Sequence, residues 1–490
     1  MKNNINRNLG KDVLAYIPVK LIPAVTGLLS IIILTRNISP EAYGKYSVVV
    51  ASVLLFVQLT SGWLANSILY YYPGYKTNLE KNSFKYQILK LQFYIALPTM
   101  ILVFFAIFKI TQRVNLALLG AILLFGQSFF GILMTFYQSA GAIRVQAVVV
   151  GAQSLSQLLM LTALIFLTKQ NETFAVVALV FGYYFGIFIL LFKEKKEEYE
   201  IQKKLSKKIL FDTLSYGVPM CLWFFATQLY TIGDRLFLQY YGFNDQLGQY
   251  AAFRDLVTGC AGFLTMPLVM ASHPIIMEMW RNQTDRIIIE ELINKNIVIL
   301  LSLFSPILII AYFVGPIFIN ALFGNKYSLD AILMLLVVIS TLLGSITIYL
   351  HKGLEVTGKT LVMSLVALTL AVFSGTGNIY IIPLYGVNGS AILLIIVQLL
   401  YMTTIWFLTK SILRTSLEKK LIFTLFLWLF LVSLTLIAAE NLILYYDAME
   451  SSLIVNLCII FFATILLYLK VKEMRIIIFY FWCYIKNLRK

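Results

Sequence analysis

Apolar residues run along this chain in unbroken blocks of roughly 20, separated by short polar turns. A block of that length crosses the ~30 Å hydrocarbon core of a bilayer as a helix. A helix also satisfies its own backbone polar groups, which lipid requires. Strands of a membrane barrel would alternate apolar and polar residues over about ten positions, and these blocks do not alternate. The pattern predicts an all-α integral membrane protein with about 14 transmembrane helices. They fall at 13–34, 46–72, 86–110, 116–137, 146–168, 174–192, 209–241, 250–278, 296–320, 330–351, 360–383, 386–409, 421–440 and 453–469.

Composition agrees: 60% of the 490 residues are hydrophobic and 13% charged, where a soluble domain carries about 25% charge. The net charge of +16 would suggest nucleic acid in a soluble protein, but the basic residues sit in short loops between apolar blocks. With the N-terminus inside, the inside segments hold 29 of the 39 Lys and Arg, the outside loops five and the spans five. That asymmetry follows the positive-inside rule and places both termini in the cytoplasm. The first apolar run is too long for a signal peptide and is expected to stay as the first span. Cys221, Cys260, Cys458 and Cys483 have no metal or redox spacing and read as small buried hydrophobes.

The stretch Lys193–Lys208, with seven Lys and four Glu, nearly bisects the chain. Residues on its two sides echo each other. Tyr16-Ile17-Pro18 opens the first span and Tyr216-Gly217-Val218-Pro219 the seventh; Tyr43-Gly44-Lys45-Tyr46 opens the second and Leu247-Gly248-Gln249-Tyr250 the eighth. Gly141 follows the fourth span and Gly358 the tenth. The echoes predict two six-helix lobes related by a parallel pseudo-repeat, plus two extra C-terminal helices. The domains are then 1–208, 209–420 and 421–490, the last closing in an interfacial basic helix over Val471–Lys490. Pro40 with Gly44, and Pro383 with Gly386, read as helix ends that allow tight turns.

Ionisable residues inside a bilayer cost about 2.5–3.5 kcal/mol or more at its centre and usually face a protein interior or a wet cavity. Lys20 lies about 10 Å along the first span from its inner end at ~1.5 Å per residue. Ala24, Gly27 and Ser30 share its small-residue face, opposite Leu14, Leu21, Val25 and Leu28. It points inward as an anion contact, unless it snorkels to the interface. Asp234-Arg235 and Arg254-Asp255 sit on neighbouring spans with opposite signs at similar depth. Crossed pairing follows, with Asp234, Arg254 and Asp255 as a structural clamp. Arg235 continues a polar stripe with Gln228, Thr231 and Gln239, which makes it the cavity candidate. Gln58, Ser61 and Asn66 form a looser polar cluster on the second span, and Gln153 and Gln157 a stripe on the fifth. His273 and His351 lack a partner at metal-ligand spacing, and no phosphate-binding glycine loop is present. No cofactor, metal or catalytic residue is expected.

Three stretches resemble the oligosaccharide flippase (Wzx-type) family of the multidrug/oligosaccharidyl-lipid/polysaccharide exporter superfamily. They are Arg36 to Tyr46, Tyr216 through Gly233-Asp234-Arg235 to Tyr250, and Asn378 to Ala391. The resemblance implies two six-helix lobes around a central cavity, working by alternating access. It also implies a substrate: a polyprenyl-pyrophosphate-linked oligosaccharide for surface polysaccharide such as O-antigen, capsule or exopolysaccharide. The sugar head cannot cross lipid unaided, because its hydroxyls and charges would lose water without replacement. Lys20, Arg235, Gln58, Gln228 and Thr231 have the chemistry to lower that cost. Membrane lipids and a polysaccharide polymerase or other assembly protein are the expected partners, and nucleic acid is not. The alternative is a cation-coupled drug or organic-cation antiporter of the same superfamily. It would want a buried carboxylate free to exchange a cation, whereas Asp234 and Asp255 each adjoin an arginine. A membrane enzyme would carry a long outer loop for its chemistry, and none is expected here.

Overall fold

The computed structural model describes residues 21–167, 171–193, 207–445 and 452–475. These residues are helical, without strands. In order they form α1 (Leu21–Asn37), α2 (Pro40–Val57), a π-helical turn (Gln58–Gly62), α3 (Trp63–Tyr71), α4 (Asn78–Thr111), α5 (Val114–Ser139), α6 (Ile143–Leu167) and α7 (Glu172–Lys193). Then come α8 (Lys207–Ile232), α9 (Asp234–Tyr240), α10 (Asn244–Arg281), α11 (Arg286–Phe313), α12 (Gly315–Phe323) and α13 (Ala331–Leu350). The short α14 (Lys352–Val356), the long α15 (Thr360–Thr409), α16 (Lys419–Tyr445) and α17 (Ser452–Lys470) follow.

Among the described residues, eleven helices are long and apolar enough to cross a membrane, or twelve when the bent α8 is counted. The sequence reading expects fourteen. The difference lies in two places. α1 is short in its described part. α15 runs 50 residues but is interrupted at Gly386, whose φ of 55° and ψ of −138° are not helical. Fifty residues of straight helix would reach about 75 Å at ~1.5 Å each, far beyond one bilayer crossing. A left-handed φ there costs an L side chain but not glycine. α8 bends by 43° between Ile209–Ser215 and Met220–Ile232. Gly217-Val218-Pro219 therefore sits at a bend inside the helix rather than opening it, as a proline lacking its N–H would dictate. Gly141 and Gly358, the paired ends of the expected repeat, share a left-handed backbone with φ of 67° and 70°.

The helices are sorted for lipid. On α4 the face carrying Phe93, Leu97, Ile101 and Phe105 is exposed, while Gln92, Ala96, Thr99, Val103 and Ile107 are buried. Lipid tails are as apolar as leucine, so packing between helices draws on small and polar residues instead. The same logic corrects the reading of three of the cysteines, Cys483 lying outside the described residues. Cys260 and Cys458 are exposed and Cys221 half-buried, because an apolar side chain on a membrane helix has no need of a protein interior.

The chain divides into two compact units. Unit 1 comprises 1–259 and 359–397, and unit 2 comprises 260–358 and 398–490. Unit 1 is cored by α2, α4, α5 and α7 through Val49, Val53, Val103, Ile107, Leu116, Leu124 and Val176. In unit 2, α11 packs with α16 and α17 through Val298, Ile309, Leu425, Leu436, Ile460 and Leu467. Lys20, most of the basic linker and most of the C-terminal tail lie outside the described residues.

Candidate functional site: a buried charge quartet in unit 1

α8 stops at Gly233, and α9 restarts with Asp234 and Arg235; Arg254 and Asp255 follow three turns into α10. Neighbours on a helix point about 100° apart, so neither dipeptide pairs within itself. Each reaches across instead. Arg254 Nη1 lies 2.6 Å from Asp234 Oδ2, and Arg235 Nη2 lies 2.6 Å from Asp255 Oδ1. Both arginine side chains and Asp234 are buried, while Asp255 is 28% exposed.

Tyrosines complete both pairs. Tyr250 OH donates to Asp234 Oδ2 at 2.9 Å and accepts from Arg254 Nη1 at 2.8 Å. The Arg254 guanidinium also sits 5.4 Å from the Tyr250 ring centroid, a cation–π distance. Its Nη2 donates to the Thr231 carbonyl. Tyr43 OH donates to Asp255 Oδ2 at 3.0 Å, across 212 residues of sequence. The Arg235 backbone N–H donates to Asp234 Oδ1 at 3.0 Å. One buried polar atom of the quartet, Arg235 Nε, has no partner among the described residues.

Two glycines let these groups converge. A Cβ on Gly44 would lie 2.8 Å from the Asn244 carbonyl oxygen, and one on Gly248 would collide with the Pro40 carbonyl. The start of α2 therefore packs directly on the start of α10, backbone to backbone. Ser39 caps α2 by accepting from the Ala42 N–H at 3.3 Å. Gly44 thus serves close approach within a helix, not the turn the sequence suggested. The two echoed motifs, Tyr43-Gly44 and Gly248-Gln249-Tyr250, each supply a close-packed glycine and a tyrosine bonded to an aspartate.

The remaining sequence candidates are placed as follows. Gln58 opens the π-helical turn, a geometry that inserts an extra residue and is frequent at functional sites. Its carbonyl lies 3.7 Å from Cys221 Sγ on α8. Ser61 and Asn66 bond back to their own helix. Thr231 donates to the Thr227 carbonyl at 2.7 Å, and Gln228 is half-buried. Gln239 is buried and donates to Asn244 Oδ1 at 2.7 Å. Gln153 donates to Gln157 at 3.2 Å. Sequence reasoning missed Tyr43 and Tyr250, although their shared place beside a glycine in the echoed motifs was a visible signal. Among the described residues no group of three or more His, Cys, Asp or Glu is arranged to hold a metal ion.

The family model of the polysaccharide biosynthesis proteins matches residues 9–280, which contain the whole quartet. The chain belongs to that family. A structure titled lipid II flippase MurJ, inward closed conformation, superposes with a TM-score of 0.70 at 14% identity, covering 93% of this chain and 98% of that one. The MATE multidrug transporter DinF-BH gives 0.61 at 12% identity, covering 83% and 96%. An inward-facing MATE family transporter of the MOP superfamily gives 0.58 at 14%, covering 80% and 97%. At such identities these likenesses establish the fold, that of a multi-pass membrane protein. No curated protein sequence matches the chain significantly.

Proposed function

We propose that this protein flips a polyprenyl-pyrophosphate-linked oligosaccharide across the bacterial cytoplasmic membrane by alternating access, for surface polysaccharide synthesis. The observation that carries the reading is membership of a polysaccharide biosynthesis family in a chain whose fold is shared with a lipid flippase over nearly its full length. A drug antiporter of the same fold is disfavoured by the quartet. Both aspartates are engaged by arginine and tyrosine, and a carboxylate so held is poorly placed to exchange cations.

In this reading both termini are cytoplasmic, and 1–208 and 209–420 are the moving lobes, with 421–490 appended. The Tyr43–Asp255 bond and the Gly44–Gly248 contact, which join the two lobes, form the outer closure, and the quartet stands behind it. Asp234, Arg254 and Asp255 act as its clamp. Arg235 stays paired with Asp255 and meets the pyrophosphate when Tyr43 leaves Asp255, its Nε lacking a partner among the described residues. Lys20 meets the pyrophosphate on the cytoplasmic side, and Gln58, Gln228 and Thr231 offer polar groups to the sugars. A polymerase would receive the flipped product.

The test is complementation of a flippase-deficient strain, read as surface polysaccharide. The wild-type gene should restore it, and Lys20→Ala should reduce it sharply at normal membrane expression. Lys20→Arg should retain part, because charge matters more than shape for a point contact with phosphate. Absence of rescue by the wild-type gene, combined with restored drug efflux in an efflux-deficient strain, would move the protein to the antiporter class.

A further inference from the structure

Both histidines of the chain meet in one cluster within unit 2. His273 projects from α10, His351 follows α13, and Lys352 and Glu355 stand on α14. Lys352 Nζ lies 2.6 Å from Glu355 Oε2 and 3.0 Å from His273 Nδ1. Glu355 Oε1 lies 3.0 Å from His351 Nε2. His273 Nδ1 is 3.6 Å from Glu355 Oε2. The Lys352 and His351 side chains are buried, but that of His273 is 42% exposed. The cluster thus joins a helix to another element 79 residues on, with one imidazole open to its surroundings.

The geometry sets the proton positions. An ammonium beside a carboxylate stays charged and can only donate. His273 Nδ1 therefore accepts from Lys352, which makes the ring neutral with its proton on Nε2. One added proton turns Nδ1 into a donor facing a cation. The charged and titratable groups acting on His273 are Lys352, Glu355 and His351. On its own helix the next charges are Glu278 and Arg281. The end of α15 that packs on Gly353 presents the uncharged Thr409. Glu355 Oε2 is the carboxylate oxygen nearest Nδ1, at 3.6 Å, and it already carries the Lys352 ammonium.

We propose that His273 is a proton-binding site whose occupancy decides whether α10 and α14 stay joined. Neutral, it accepts from Lys352 and ties the two elements. Protonated, it repels Lys352 and releases them, so acidification opens this end of unit 2. The site takes only a proton and is independent of what the protein transports.

The experiment uses the full-length chain in nanodiscs with labelled histidine. Two imidazole signals are expected, assigned with His273→Gln and His351→Gln. In a cysteine-free background, spin labels at Glu278 and Thr357 report the separation of α10 from the end of α14. The His273 signal should shift on acidification, and the label distance should lengthen with the same midpoint. His273→Gln should abolish the pH response of the distance, and His351→Gln should retain it. Lys352→Met, which removes the neighbouring cation, should raise the His273 midpoint by about one pH unit. Titration of His273 without any change in distance would overturn the proposal and leave a static charge cluster. So would a distance change that persists in His273→Gln. Should His273→Gln fail to fold, a His273 midpoint unmoved by Lys352→Met would overturn it equally.

Discussion

The quartet of unit 1 and the histidine cluster of unit 2 solve one problem with different chemistry. Each ties two helical elements through buried ionisable groups. The quartet uses arginine, aspartate and tyrosine, whose charges change only far from neutral pH, and it satisfies Asp234 from three directions. The cluster uses imidazole, which changes charge near neutrality, and leaves His273 half-open. The difference teaches that burial alone does not make a switch. A tie built from permanent charges yields only to mechanical separation of its helices; one built around histidine yields to a proton.

The comparison breaks most visibly at Asp234. Removing one partner of a buried ion pair leaves an uncompensated charge and costs about 3–5 kcal/mol. Asp234→Ala should therefore cut the yield of monodisperse protein in detergent severely, and adding Arg254→Ala should recover part of it. A double-mutant cycle that came out strictly additive would remove the coupling between these residues.

The backbone contact beneath the quartet comes next. A side chain at Gly248 must displace the Pro40 carbonyl, which is backbone and cannot swing away. Overpacking of this kind costs about 1–3 kcal/mol. Gly248→Val should lower the thermal midpoint and raise maleimide labelling of a cysteine placed at Lys45, as the starts of α2 and α10 part. Unchanged labelling would mean that the contact is packing without a closing role.

The tyrosines sharpen the picture further. Tyr250→Phe removes a hydrogen bond to each member of a fully buried pair, and bonds to charged groups contribute about 1.5–3 kcal/mol. Tyr43→Phe removes one bond to an aspartate that is 28% exposed, where water can substitute. The first should lower the thermal midpoint clearly more than the second. Equal effects would argue that the two halves of the quartet are equally dry.

How far the sequence carried depended on the range of each interaction. The apolar blocks announced the helices because span length is set locally by bilayer thickness. The crossed charges were readable because Asp234-Arg235 and Arg254-Asp255 stand on consecutive helices. Tyr43 was not, because its partner lies 212 residues away and a tyrosine at a helix start has many uses. Gly44 was taken for a turn residue, since close helix approach and tight turns ask for the same residue type. In the histidine cluster, His351 and Glu355 stand at the i, i+4 spacing of one helical turn, which sequence displays. The arrival of His273 from another helix is a property of packing alone.

The smallest expected effect is also the cleanest contrast between the two regions. Tyr250→Phe touches no imidazole, so the fall in thermal midpoint it causes should be the same at pH 8 and pH 6. Lys352→Met touches the histidine cluster, where the outcome depends on the proton. At pH 8 wild-type Lys352 donates to neutral His273 and pairs with Glu355, so its loss removes favourable contacts and the midpoint should fall. Once acidification has protonated His273, Lys352 also repels that ring, so removing it relieves as well as costs. Glu355 is then free to accept from His273, already 3.6 Å away. The penalty of Lys352→Met should therefore shrink on acidification while that of Tyr250→Phe holds steady, both read as thermal midpoints of detergent-solubilised protein in matched buffers. A Lys352→Met penalty that is constant with pH would place the cluster beside the quartet as a second permanent tie.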